Sequence, residues 1–525
     1  MVDVQRAAAT VHADVEAYVE PATATAPRRA LTFAAWDRAA DGVAGLLAAA
    51  GVTRGSVVCL VLPSSADYMV CYAAAARLGA ITSGVNPRLG AAEVRSILDR
   101  TLPAVTVVDD GAAVPDGPVG TVFHRSEALA AAGPPPATWP TLEPTDPVAV
   151  VWTSGTTGLP KGAVFDHRRL AAVATGTDTL SEPGDRRLSP LPFAHVGSMT
   201  RTWDEAANAV TTVITPTPWR AADAVRIMEE ERITVAQGVP TQWALVMAHP
   251  ALDAADLSSL RVAGTGASRA PAELVAAMRT RLGVPVVVRY TSTEASLGTG
   301  TVPGDPDDLV AVSVGRPVPG VELAVVDDDG GPVAPGGVGR VRLRSAAVML
   351  GYWGGPPTGP GARGVLYDEA ATRAVLADDG WLTTGDFGRL DEGGNLHLVG
   401  RANELYLRGG YNVYPAEVEA ALGTHPTVAQ AAVVGAPDPV LGEIGVAFVV
   451  PVAGAGTIDA ATLRDELRAH IRTTLADYKA PDRVVVCEAL PLTSMMKVDK
   501  RALSDRAAAA VPDDHTTHRA QARAS

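Results

Sequence analysis

Ten consecutive residues, Thr153 to Gly162, read TSGTTGLPKG and combine hydroxyls, glycines and one lysine. That set suits an anion. Gly155, Gly158 and Gly162 let a backbone adopt positive φ and approach a ligand closely, so that successive N–H groups can converge on a phosphate. Thr153, Ser154, Thr156 and Thr157 add hydroxyl donors, and Lys161 adds a compact positive charge. Lysine is scarce in this chain: it occurs at Lys161, Lys479, Lys497 and Lys500, and the other forty of the 44 basic residues are arginine. A chain that uses arginine almost everywhere retains lysine where a point charge on a flexible stem is needed.

The apolar run Val148 to Trp152 reads as a buried strand, which places the loop at a strand's carboxyl end, where α/β proteins bind ligands. The pattern departs from the Walker loop, because Gly162 rather than Ser or Thr follows Lys161 and GAVFDH opens no evident helix. A shorter match would read as a surface turn. Over ten residues, TSGTTGLPKG resembles the signature loop of the adenylate-forming enzymes: acyl-CoA synthetases, luciferases and the adenylation domains of peptide synthetases, with acyl-CoA ligases nearest.

Other segments carry the same resemblance in one order, from about Leu31 to Leu503. LSPLPFAHVGSM is similar to the segment whose histidine, here His195, lines the acyl and pantetheine passage; Ala194 stands where an aromatic is common, which implies a wide acyl pocket. LRVAGTGASRAP implies a strand turning at Gly266 and Ala267 beneath an adenine. VVVRYTSTEAS implies that Tyr290 stacks on adenine, Thr293 touches phosphate and Glu294 binds Mg2+, a cation that prefers oxygen. Thr291 replaces the usual glycine there, and its side chain could crowd a backbone that lies against the nucleotide. In GWLTTGDFGRLDEGGNLHLVGR, Asp386 would accept both ribose hydroxyls, with Arg401 near the ribose and phosphate. GRANELYLRGGYNVYPAEVEAAL resembles the hinge segment, with Asn403 at the hinge and Arg408, Gly409 and Gly410 bordering the pantetheine tunnel. In PLTSMMKVDKRAL, Lys497 takes the place of the catalytic lysine, preceded by Met495 and Met496 where glycine is usual.

These groups need a large scaffold. At 525 residues the chain predicts two or three domains, and 47% hydrophobic with 19% charged residues is an ordinary globular composition. Strand and helix patterns alternate from Leu31, beginning with LTFAAWDRAADGVAGLLAAAGV, a helix that stops at Gly51. Residues 1–28 read as a loosely patterned lead-in, residues 110–146 as a Pro- and Gly-rich surface excursion, and the stretch after Val310 as β. The expectation is an α/β fold: a large N-terminal domain of doubly wound sheets with a small β-barrel-like subdomain (1–400), a small mobile α+β C-terminal domain (401–505) and a disordered tail (506–525).

The net charge of -14 argues against nucleic acid or an anionic membrane surface as a general partner. Cys59, Cys71 and Cys487 lack metal spacing and read as buried thiols of a reducing compartment. The start is acidic where a signal peptide would be apolar, and no apolar run approaches the roughly 18 residues of a membrane span. The expected location is cytoplasmic.

The resemblance implies an acyl-CoA ligase that activates a hydrophobic, bulky carboxylic acid as acyl-AMP with ATP and Mg2+, then passes the acyl group to coenzyme A. Three alternatives stay open at this stage. Met496 and Thr291 leave room for a ligase that performs only the thioester-forming half on an adenylate supplied by a partner enzyme. A ligase that loads a carrier protein and a non-catalytic acyl or nucleotide sensor are the others.

Overall fold

The computed structural model describes residues 2–153, 160–176, 179–268, 270–356, 366–452, 460–493 and 496–509. The chain divides into two compact units, one of Met1–Thr384 with Arg389–His397, the other of Gly385–Gly388 with Leu398–Ser525.

In the first unit a six-stranded sheet orders as Thr121–His124, Val105–Val108, Val57–Val61, Ile81–Gly84, Pro147–Thr153 and Lys161–Asp166. All neighbours run parallel except the last pair. A nine-stranded sheet has a parallel centre that runs from Val286–Tyr290 through Val262–Gly266, Val235–Gly238, Arg186–Ser189 and Thr211–Ile214 to Glu16–Glu20, with antiparallel edges. Every residue of Val57–Val61 and of Val105–Val108 is buried, as strands covered on both faces require. The helices Phe33–Ala49 and Ala66–Arg77 begin on hydroxyl caps: Thr32 accepts from the Ala35 N–H and Ser65 from the Tyr68 N–H.

Four expectations need correction. The lead-in is structured: a helix at Val2–Val11 precedes the strand Glu16–Glu20, whose Tyr18 and Val19 are buried. Its alanine-rich helix and five-residue strand give little periodicity to read. The helix expected from Leu31 starts at Phe33, because Leu31 belongs to the edge strand Arg29–Thr32. The excursion at 110–146 contains the strand Thr121–His124 and the helix Arg125–Ala130. The last helix continues to Ala509, past the expected start of the tail at 506, because Leu503 and Ala507 are buried and Arg506 lies over the Phe448 ring at 5.2 Å. Residues 510–525 lie outside the described residues.

Past Val310, Val321–Val326 and Gly339–Ser345 pair antiparallel within a four-stranded sheet whose other strands are Leu382–Leu390 and Leu396–Arg401. The second unit is a five-stranded α+β module. Alternation along Val428–Asp438 and Gly442–Pro451 gives its sheet two apolar faces. Val433, Ala447 and Val449 meet Val418, Leu422, Leu463 and Leu467 on one side; Val434, Val446 and Phe448 meet Leu503 and Ala507 on the other.

Candidate active site

The signature loop joins a β-hairpin. Strands Pro147–Thr153 and Lys161–Asp166 are antiparallel with Thr153 opposite Lys161, so the lysine opens a strand and not a helix. Ser154, Gly155, Thr156, Thr157 and Gly158 lie outside the described residues. Gly162 serves a different purpose from the one expected. It is not among the positive-φ glycines; a Cβ there would meet Val150 Cγ1 at 2.6 Å and the Trp152 ring at 3.0 Å. The close approach of two strands, not backbone freedom, calls for glycine.

Lys161 and Glu294, 133 positions apart in the chain by their numbers, meet around one residue that the motifs did not single out. The Tyr352 hydroxyl donates to Glu294 Oε1 at 2.6 Å, and Lys161 Nζ lies 5.3 Å from the centre of the Tyr352 ring. Backbone bonds fasten the three segments: Met349 N–H to the Glu294 carbonyl (2.8 Å), Leu350 N–H to the Val164 carbonyl (2.8 Å) and Val164 N–H to the Gly351 carbonyl (3.0 Å). The sequence offered only a tyrosine after a glycine in an apolar run, a pattern too common to mark a site.

Strand Val262–Gly266 ends at a turn in which Ala267 takes a left-handed φ of 65°. A Cβ on Gly266 would meet the Arg289 carbonyl oxygen at 2.5 Å, so glycine again marks close strands. Tyr290 ends the neighbouring strand and is 7% exposed; its hydroxyl donates to Thr384 Oγ1 at 3.3 Å. Thr291 lies outside the left-handed region and its hydroxyl donates to the Ser292 carbonyl at 3.2 Å, so its backbone does not require glycine. Thr293 and Glu294 are half-buried. His195 caps the short helix Val196–Met199, its Nδ1 accepting from Gly197 N–H at 3.2 Å, which leaves the proton of a neutral ring on Nε2.

In the second unit Asp386, Arg401 and Lys497 come together. Arg401 Nε is 2.9 Å from Asp386 Oδ1. Burial, with Arg401 adding to it and Asp386 opposing, pushes the Lys497 ammonium down to about 8. A tight turn presents this lysine: Thr493 N–H donates to the Lys497 carbonyl (2.7 Å), Met496 N–H to the Thr493 carbonyl (3.0 Å), and Leu492 bridges to Val498. Met496 itself adopts φ 59°, the conformation for which glycine is favoured, so the methionine follows the backbone path that glycine would take. Met495 lies outside the described residues.

Arg408, Gly409 and Gly410 form a separate feature. Strands Tyr406–Arg408 and Tyr411–Val413 pair antiparallel across a two-residue turn in which Gly409 (58°) and Gly410 (86°) both have positive φ. The Arg408 guanidinium is held by Asp482 through two hydrogen bonds, 2.9 and 2.7 Å.

The lysines sort in a way that composition could only suggest. Lys479 pairs with Glu417, and Lys500 with Glu404 (3.0 Å) and Glu419 (2.5 Å). Lys161 and Lys497 form no ion pair among the described residues. A cavity of about 620 Å3 between Val2, Trp139 and His167 is lined by none of the candidate residues.

Residues 4–353 match the family described as AMP-binding enzyme, and residues 417–497 match the AMP-binding enzyme C-terminal domain. The chain belongs to the AMP-binding enzyme family. It is 35% identical over 498 residues to the indoleacetate–CoA ligase of Aromatoleum aromaticum, covering 90% of this chain and 92% of that one. A Mycobacterium tuberculosis CoA ligase named for a methyl-dioxo-octahydro-indenyl propanoyl group is 34% identical, covering 88% and 91%. Among solved structures, ATP-bound MatB from Rhodopseudomonas palustris superimposes with a TM-score of 0.84 at 26% identity, covering 96% of this chain and 98% of that one. Among the described residues, no helix is long and apolar enough to cross a membrane.

Proposed function

We propose that this AMP-forming acyl-CoA ligase acts on a bulky, hydrophobic carboxylic acid and performs both half-reactions. The observation that carries the reading is the Lys497 turn, which sets an ammonium beside Asp386 and Arg401, in no ion pair among the described residues. Met496 already occupies the left-handed region, so the turn keeps the path of a glycine-containing one. That weakens the reading in which adenylation has been lost.

In the first half-reaction a carboxylate oxygen attacks the α-phosphate of ATP. An oxygen–phosphorus bond forms, the bond to the β-phosphate breaks, and pyrophosphate leaves with the electron pair. Two anions must meet, so the barrier is largely electrostatic. Lys161 and the loop donors hold the departing phosphates, and Lys497 bridges the carboxylate and the α-phosphate. Asp386 accepts the ribose hydroxyls, and Tyr290 with the Gly266–Ala267 turn borders the base. Glu294 would offer a hard cation one oxygen beyond the one held by Tyr352. Mg2+ bound there would offset phosphate charge. In the second half-reaction the CoA thiolate attacks the acyl carbon and AMP departs with the electrons of the broken carbon–oxygen bond. His195 borders the acyl passage, and Arg408 to Gly410 border the pantetheine path after the second unit turns about Asn403.

Ala194 beside His195 supports bulk in the acid, and the relatives named for an indole acid and for an indenyl propanoate agree with it. The reading places the protein in the cytoplasm. Its test is a competition among acids of graded width, from benzoate to polycyclic propanoates, scored by mass detection of each CoA thioester. The widest acids should have the highest kcat/KM, and Ala194→Phe should lower theirs at least about tenfold while sparing benzoate. Preference for benzoate in the unaltered enzyme would refute the assignment.

A further inference from the structure

We propose that Tyr352 is a positioning residue that keeps the Lys161 ammonium and the Glu294 carboxylate apart, so that each remains available to the nucleotide. This inference rests on the reading of Lys161 and Glu294 as phosphate and metal ligands, and assigns a role to a third residue of that site.

A lysine and a carboxylate gathered into one half-buried place attract each other, and an ion pair between them would cancel the charge of both. Here no ion pair joins them among the described residues. The phenol contacts both, serving each with a different part. Its ring face attracts the ammonium at 5.3 Å, a contact that leaves the three N–H donors of Lys161 uncommitted among the described residues. Its hydroxyl donates to one oxygen of Glu294 at 2.6 Å, which orients the carboxylate and leaves the second oxygen open among the described residues.

The ring has little freedom to leave. Tyr352 is 5% exposed; its N–H donates to Thr372 Oγ1 at 2.9 Å and its carbonyl accepts from Asp368 N–H at 2.9 Å. It also bridges to Ala163, two residues from Lys161.

The test uses the full chain and equilibrium binding of ATP by calorimetry, once in EDTA and once in excess Mg2+. Tyr352→Phe keeps the ring and removes the donor; Tyr352→Leu keeps bulk and removes both. The phenylalanine variant should bind ATP in EDTA as the unaltered chain does, but lose at least about fivefold of the gain that Mg2+ confers. The leucine variant should lose about tenfold in EDTA as well, as Lys161 and Glu294 collapse onto each other. Thermal midpoints check folding, and if the leucine variant does not fold, the Mg2+ arm of the phenylalanine variant decides. Unchanged affinities in folded variants would overturn the proposal alone, whereas an unaltered chain with no ATP affinity would overturn the reading beneath it.

Discussion

Lys497 carries the most specific chemical expectation. Its ammonium is held near 8, below the ordinary lysine value of 10.5, because burial disfavours the charged form. In the proposed role the charged form bridges two anions, so the rate of pyrophosphate exchange should fall as pH rises through about 8. Lys497→Arg should flatten that limb at a lower absolute rate, since guanidinium stays charged. Lys497→Met should lower exchange by at least about a hundredfold while thioester formation from a supplied adenylate persists. An exchange rate independent of pH from 7 to 9 would remove Lys497 from this role. Met496→Gly should raise the unfolding free energy by about 1 kcal/mol, because a side chain at φ 59° is strained, and leave exchange nearly unchanged. Chemical denaturation measures the first and isotope exchange the second. Scarcity made Lys161 and Lys497 legible in the sequence, but not which lysines were paired. The φ of Met496 cannot be read from its identity. Tyr352 was invisible because its partner lies 58 positions away.

Among the elements, the hairpin under the signature loop and the Gly409–Gly410 turn depend on glycine for different reasons. Gly162→Ala drives a Cβ against Val150 and Trp152 and should cost about 1–3 kcal/mol of stability. It should also raise the KM for ATP more than that for the acid, because it shifts the strand that begins at Lys161. Gly410→Ala meets no atom within 4 Å but forces a side chain to φ 86°, and should cost about 1 kcal/mol. Equal KM changes for both substrates of Gly162→Ala would detach the hairpin from nucleotide binding. The apolar central strands were legible because they are buried on both faces. The strands Glu16–Glu20 and Thr121–His124 were not, being short and belonging to sheets completed by distant segments. The reason for Gly162 was likewise hidden, since a glycine in a loop motif looks the same whether it supplies positive φ or admits a neighbouring strand.

At the scale of the whole molecule, one chain builds two units, each holding part of the candidate machinery: Lys161 and Glu294 in the first, Asp386, Arg401 and Lys497 in the second. A cycle in which the second unit turns about Asn403 requires freedom there. Asn403→Pro, which restricts its own φ and the residue before it, should slow thioester formation at least about tenfold while pyrophosphate exchange continues. Equal loss of both activities would mean that Asn403 is not the pivot. The two-part organisation was legible because separate motifs came in one order along the chain; the apolar faces of the second unit, assembled from strands and helices far apart in sequence, were not.

The central claim is that one enzyme completes both half-reactions. The most direct measurement supplies the purified chain with a panel of bulky acids, ATP, Mg2+ and CoA, beside a parallel arm given preformed acyl-adenylates and CoA, and detects the thioester by mass. Thioester in both arms, with AMP formed in step in the first, is the predicted result. Thioester from the adenylates alone would contradict it, and would show that activation of the acid belongs to another enzyme.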